Sequence, residues 1–70
     1  MKASDVHALG DADLIERIRQ SREEAFNLRL KNATGELEDT AKLSAARRDV
    51  ARLLTVARER SIDIEKELRG

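Results

Sequence analysis

Punctuation is nearly absent from this chain. It has no proline, and its 70 residues contain only three glycines, Gly10, Gly35 and Gly70. Proline and glycine interrupt helices more than any other residue, costing about 3 and about 1 kcal/mol in a helix interior. Between Gly10 and Gly35, and again beyond Gly35, nothing obliges a helix to end. Gly10 or Asp11 offers an N-cap, and Asp13 suits the first turn. The pattern predicts a helix over 11–32 and a connection over 33–39, with Gly35 free to adopt the left-handed conformation. A second helix is predicted over 40–60, capped by Asp39 or Thr40. Residues 1–10 form a lead-in containing Val6 and Leu9, and residues 61–70 a tail that either extends the second helix or frays.

Each predicted helix carries a seam. Leu14, Ile18, Ser21, Ala25 and Leu28 alternate steps of four and three, as do Leu43, Ala46, Val50, Leu53 and Ala57. Two seams joined by a short loop predict an all-α fold, an antiparallel two-helix hairpin in one domain over 1–70. Its arms are each about 30 Å long. The small residues in both seams bury little area, at about 25 cal/mol per Å². Chains below roughly 70–80 residues rarely stabilise themselves without a staple. A weak free hairpin that relies on a partner is the expectation. In the tail, Glu65 and Arg69 have i,i+4 spacing, worth about 0.2–0.5 kcal/mol.

Composition excludes most chemistry. There is no cysteine, which removes disulfides, thiol catalysis and zinc knuckles together. Apolar runs are too short for a secretory signal or a membrane span, so a cytoplasmic protein is expected. His7, the only histidine, falls in the lead-in and reads as a surface residue. Motifs for phosphate loops, dinucleotides and helical zinc sites are all missing. A two-helix hairpin also offers no concave site to desolvate a carboxylate. The expectation is no enzyme, no cofactor, no metal and no small-molecule substrate. With Phe26 as the only aromatic, modules that stack runs of bases are disfavoured.

The zero net charge conceals a partition. Residues 1–16 carry Lys2 against Asp5, Asp11, Asp13 and Glu16, a net −3. Residues 17–60 carry eleven basic against seven acidic side chains, +4, and residues 61–70 two against three, −1. At about 100° per residue from Val50, Arg47, Arg58, Ser44, Thr55, Arg48 and Arg52 share one sector beside and behind the seam. A solvated face normally mixes both signs; here only Glu59 intrudes. Arginine forks and hydroxyls on one face suit a phosphate backbone. Asn27, Arg29 and Lys31 near the end of the first helix add a weaker signal. Phe26 and Leu30, i,i+4 neighbours beside the first seam, are either core beneath Val6 and Leu9 or a contact for protein or RNA.

Two blocks of sequence carry a family resemblance. Glu24-Ala25-Phe26-Asn27-Leu28-Arg29-Leu30, followed by Ala33-Thr34-Gly35-Glu36-Leu37, resembles the first half of the signature of the ribosomal protein L twenty-nine family. Arg47-Arg48-Asp49-Val50-Ala51-Arg52-Leu53, with Thr55 just beyond, resembles the second half. The order, the separation and the chain length agree. Ala46 departs from the branched apolar residue common there, Lys31 and Glu36 stand where glutamine is frequent, and the family is usually more basic.

The resemblance implies a long helical hairpin with a short N-terminal helical turn. It also implies a structural constituent of the large ribosomal subunit bound to ribosomal RNA near the polypeptide exit tunnel. Ribosomal protein L twenty-three is the neighbour so implied, and trigger factor and signal recognition particle approach the same surface. The alternative from another class is a free helical-hairpin adaptor that binds a partner helix by its seam.

Overall fold

The two uninterrupted stretches become the two long helices of the molecule. The computed structural model describes residues 3–36 and 40–69. It contains α1 (Ala3–His7), α2 (Asp11–Ala33), α3 (Thr40–Glu59) and α4 (Ile64–Arg69), and no strand among those residues. Helices α2 and α3 pack against each other as the hairpin, and the short helices dock at its open end. The result is a thin slab, 37 × 28 × 15 Å.

Gly10 is the N-cap of α2, with extended φ −71° and ψ 166°. It has no side chain to accept from the first-turn N–H groups, so Asp11 and Asp13 supply the favourable first-turn charge. At the other end Thr34 closes the helix and Gly35 follows at φ +81°, the left-handed conformation that its missing Cβ permits. Asp39, one of the two caps considered for α3, lies outside the described residues, and Thr40 is the first residue of that helix.

Both seams face inward, but unevenly. Leu14, Ile18 and Ser21 of α2 are buried, as are Leu53 and Ala57 of α3. Towards the loop, Ala25, Leu28, Leu43, Ala46 and Val50 are only half-buried. The core therefore sits at the open end, where Val6 of α1, Val56 of α3 and Ile64 of α4 complete it. Leu9, Ile15, Leu54, Ile62 and Leu68 pack around its edge. Val6 and Leu9 thus do not fold over Phe26 and Leu30, which are 56% and 49% exposed. The lead-in is too short to reach the loop end once α1 has packed on α3.

The tail neither extends α3 nor frays. After Arg60 the chain turns through Ser61 at φ 59°. The Ile62 N–H donates to the Ala57 carbonyl at 2.9 Å and the Ser61 N–H to the Arg58 carbonyl at 3.0 Å. This pair of bonds is a Schellman closure, and it seats Ile62 against the core. Asp63 then caps α4, its carboxylate accepting from the Lys66 N–H at 3.2 Å. The Glu65–Arg69 spacing does not give an ion pair. Arg69 donates instead to the Glu65 backbone carbonyl, while the Glu65 carboxylate accepts from Arg22 of α2 at 2.9 Å. An interhelical guanidinium takes the place of the local partner.

Two outcomes follow from this asymmetry. Leu53→Ala removes a fully buried side chain and is expected to cost about 2–5 kcal/mol, enough to abolish the cooperative melt of so small a chain. Leu43→Ala, half-buried near the loop, is expected to cost clearly less, as read by circular dichroism during urea unfolding. Ser61→Gly relieves a left-handed conformation that L-residues resist. It is expected to stabilise by about 1 kcal/mol, raising Tm by roughly 4–8 °C.

Candidate nucleic-acid interface

The arginines of the hairpin divide into two groups by their partners. Arg19 donates to Glu16 at 2.6 Å and lies 3.5 Å from Glu23. Its hydrogen bond holds the Glu16 carboxyl below the usual glutamate range. Arg22 is bonded to Glu65. Arg60 donates to Asp11 at 3.1 Å and to the His7 carbonyl at 3.1 Å, tying together the ends of α1, α2 and α3. By contrast, Arg17, Arg29, Arg47, Arg48 and Arg58 are exposed and hold no ion pair among the described residues, Arg17 lying on the opposite side of the slab from Arg29 and Arg47. Their full charge faces water.

Geometry sorts the sequence-predicted residues further. Measured around α3 at about 100° per residue, the sector begins at Arg47 and Arg58 on one flank. It crosses the outer face at Ser44, Thr55 and Arg48, and ends at Arg52. Arg52 and Thr55 adjoin α1, beside Val6, His7 and Glu59, and Arg52 is itself partnered within the chain. The Thr55 hydroxyl donates back to the Ala51 carbonyl at 2.8 Å, so it offers lone pairs rather than a proton to any ligand. Ser44 is exposed.

The near flanks of α2 and α3 converge on one side. There Ala25, Phe26 and Arg29 of α2 meet Arg47, Val50, Ala51 and Leu54 of α3 around an open groove of about 420 Å³. Arg22 borders it and also borders the next depression, shared with Leu54, Arg58, Ile62 and Glu65 at the start of α4. On the opposite side of the slab, Asp5 and Leu9 of the α1 end meet Arg17 and Asp49. The short helices therefore cover the two faces at the open end, one each, and leave the loop half of the groove uncovered.

Phe26, Arg29 and Arg47 are brought together by this packing. Asn27 and Lys31 are not. They are exposed on the outer side of α2, about 100° or more around the helix from Phe26. Leu30 lies one turn beyond Phe26 and does not line the groove. The groove residues that sequence reasoning did not place in a site are Arg22, Ala51 and Leu54, together with Ala25 and Val50, which it read only as seam. Arg22, Phe26 and Arg29 are spaced by four and three, the same signal that revealed the seams, displaced by about 80°.

Among the described residues no cluster of metal-ligating side chains occurs, and no helix is long and apolar enough to cross a membrane. Fold and surface together define a class: a small helical hairpin with an arginine-lined outer face. A family model described as Ribosomal L29 protein matches residues 4–60. A protein of Streptomyces avermitilis named large ribosomal subunit protein uL29 is 48% identical over 64 residues, 91% of this chain and 86% of its own length. The same-named protein of Staphylococcus aureus strain JH9 is 48% identical over 66 residues, 94% of this chain and 96% of its own. The chain belongs to the ribosomal L29 protein family, whose members are structural proteins and not enzymes.

The Glu16–Arg19 bond has a measurable consequence. Because the folded-state pKa of Glu16 is lowered, its contribution is present above the ordinary glutamate value. It is lost as pH falls through the lowered one. Arg19→Met is expected to flatten the acid limb of a helicity-against-pH curve slightly and leave the neutral plateau intact.

Proposed function

We propose that this chain is a structural constituent of the large ribosomal subunit that binds ribosomal RNA through the outer face of α3 and the adjoining groove. One observation carries the reading. On α3 and the flank of α2 that faces the groove, four arginines, Arg29, Arg47, Arg48 and Arg58, stand exposed without an ion pair among the described residues, as Arg17 does on the opposite side, while Arg19, Arg22 and Arg60 are engaged in holding the fold. An arginine sector of this kind matches a phosphate backbone, which accepts bidentate donors and rewards positive charge. The names of the relatives support the assignment to the large subunit.

Binding is positional rather than catalytic. The hairpin docks on folded RNA, and docking orders the weakly packed loop half, offsetting part of its low intrinsic stability. The family resemblance further supports a place in the cytoplasmic ribosome near the exit of the polypeptide tunnel, beside ribosomal protein L twenty-three. There the exposed Leu30 edge of α2 would contribute to the surface approached by trigger factor and signal recognition particle, while Asn27 and Lys31, exposed on the outer side of α2, stay with the RNA-binding set.

The test is twofold. Tagged protein in a lysate is expected to sediment with large subunits, in a nuclease-sensitive manner. A stable RNA-free homodimer would instead favour the adaptor reading. With purified large-subunit RNA, Arg48→Gln combined with Arg58→Gln is expected to leave helicity unchanged and weaken binding. The slope of log affinity against log salt should fall in magnitude by roughly 0.7–0.9 for each phosphate that the variant no longer neutralises. An unchanged slope removes both arginines from the interface.

A further inference from the structure

The groove between α2 and α3 holds the chain's only aromatic side chain, and nothing in the fold covers it. Phe26 is 56% exposed, although a buried ring is among the largest apolar contributions a small protein can make. Arg29 and Arg47 stand beside it in the same groove, above apolar Val50 and Leu54. Neither arginine holds an ion pair among the described residues. The volume of about 420 Å³ falls within the roughly 300–1,000 Å³ of small-ligand clefts. An apolar slot edged by two guanidinium groups matches a flat ring carried on an anionic backbone. A regular RNA duplex does not present one, because its bases are stacked within it. A nucleotide turned out of the helix does.

We infer that this groove takes a single unpaired nucleotide, its base against Phe26 and its flanking phosphates on Arg29 and Arg47. The inference rests on the RNA-binding reading above and adds what the RNA must present there. One ring cannot read a run of bases, but it suffices for one, and stacking is tolerant of which base is offered. The arginine forks grip phosphate oxygens in pairs, which fixes the backbone on either side of the extruded base. Charge complementarity separates this occupant from an apolar side chain of a neighbouring protein, which would leave both guanidinium groups without a counter-charge.

The chain contains no tryptophan or tyrosine, so Phe26→Trp places a sole fluorophore in the groove. Because the position is exposed, the variant is expected to keep the helicity of the unaltered protein. Titrated with deproteinised large-subunit ribosomal RNA, its emission is expected to be quenched as the indole stacks on a base. Phe26→Leu, which keeps apolar bulk without a ring, is expected to weaken binding about 5- to 150-fold, the range for removing one aromatic ring from beneath a base. Phe26→Tyr should restore affinity close to that of the unaltered protein. Emission that moves to shorter wavelength without quenching, with Phe26→Leu binding undiminished, would overturn the nucleotide site and leave RNA binding standing. Failure of the unaltered protein to bind that RNA would remove both.

Discussion

The molecule depends on one apolar contact, made where the hairpin is open. Leu14 and Ile18 of α2 meet Leu53 and Ala57 of α3, and all four are fully buried. At the loop end the connection itself keeps the arms together, so little packing is needed there. At the open end the arms are free to separate, and burial must oppose the conformational entropy of ordering them. The chain therefore places its largest interior side chains at that end. It adds Val6 and Ile64 from short helices, side chains that neither long arm could supply.

Charge follows the same division. The acidic lead-in and tail are not merely compensating for a basic middle. Asp11 and Glu16 come from the first segment and Glu65 from the last, and they engage Arg60, Arg19 and Arg22. Each of these ion pairs is exposed and individually weak, at about 0–1 kcal/mol. Their collective effect is to neutralise Arg19, Arg22 and Arg60, while Arg29, Arg47, Arg48 and Arg58 keep their charge. A net charge of zero is thus compatible with a run of uncompensated arginines along α3 and the groove. What matters for a phosphate ligand is the local field, not the sum.

Much of this is legible from periodicity. The alternation of four and three identifies Leu14, Ile18, Ser21, Leu53 and Ala57 from spacing alone, because a helix repeats its inward face at that interval whatever its partner. The left-handed Gly35 is legible for a similar reason: glycine announces the conformation it permits. Ser61 announces nothing, since serine adopts the same conformation only when its surroundings enforce it, so the turn into α4 stays hidden. The burial of Val6 and Val56 is hidden too, because it depends on how α1 lies across α3. Of the candidate surface, the sector on α3 can be drawn from angles along one helix. The groove cannot, for its two walls belong to helices whose relative rotation is a tertiary property. Hence the sequence points to Arg29 and Phe26 without their relation to Arg47, and it does not point to Leu54 at all.

The uneven burial along the hairpin also decides what kinds of damage the protein can distinguish. Ile18 and Phe26 are eight residues apart on one helix, about 12 Å along its axis, beyond the distance at which substitutions usually couple. An error in the packed end lowers the population of folded protein and leaves each folded copy fully competent. An error in the groove leaves the population intact and makes every copy defective. The first kind can be compensated by abundance, or by the RNA itself through mass action; the second cannot. Within this helical hairpin the two kinds of failure are kept apart by distance alone.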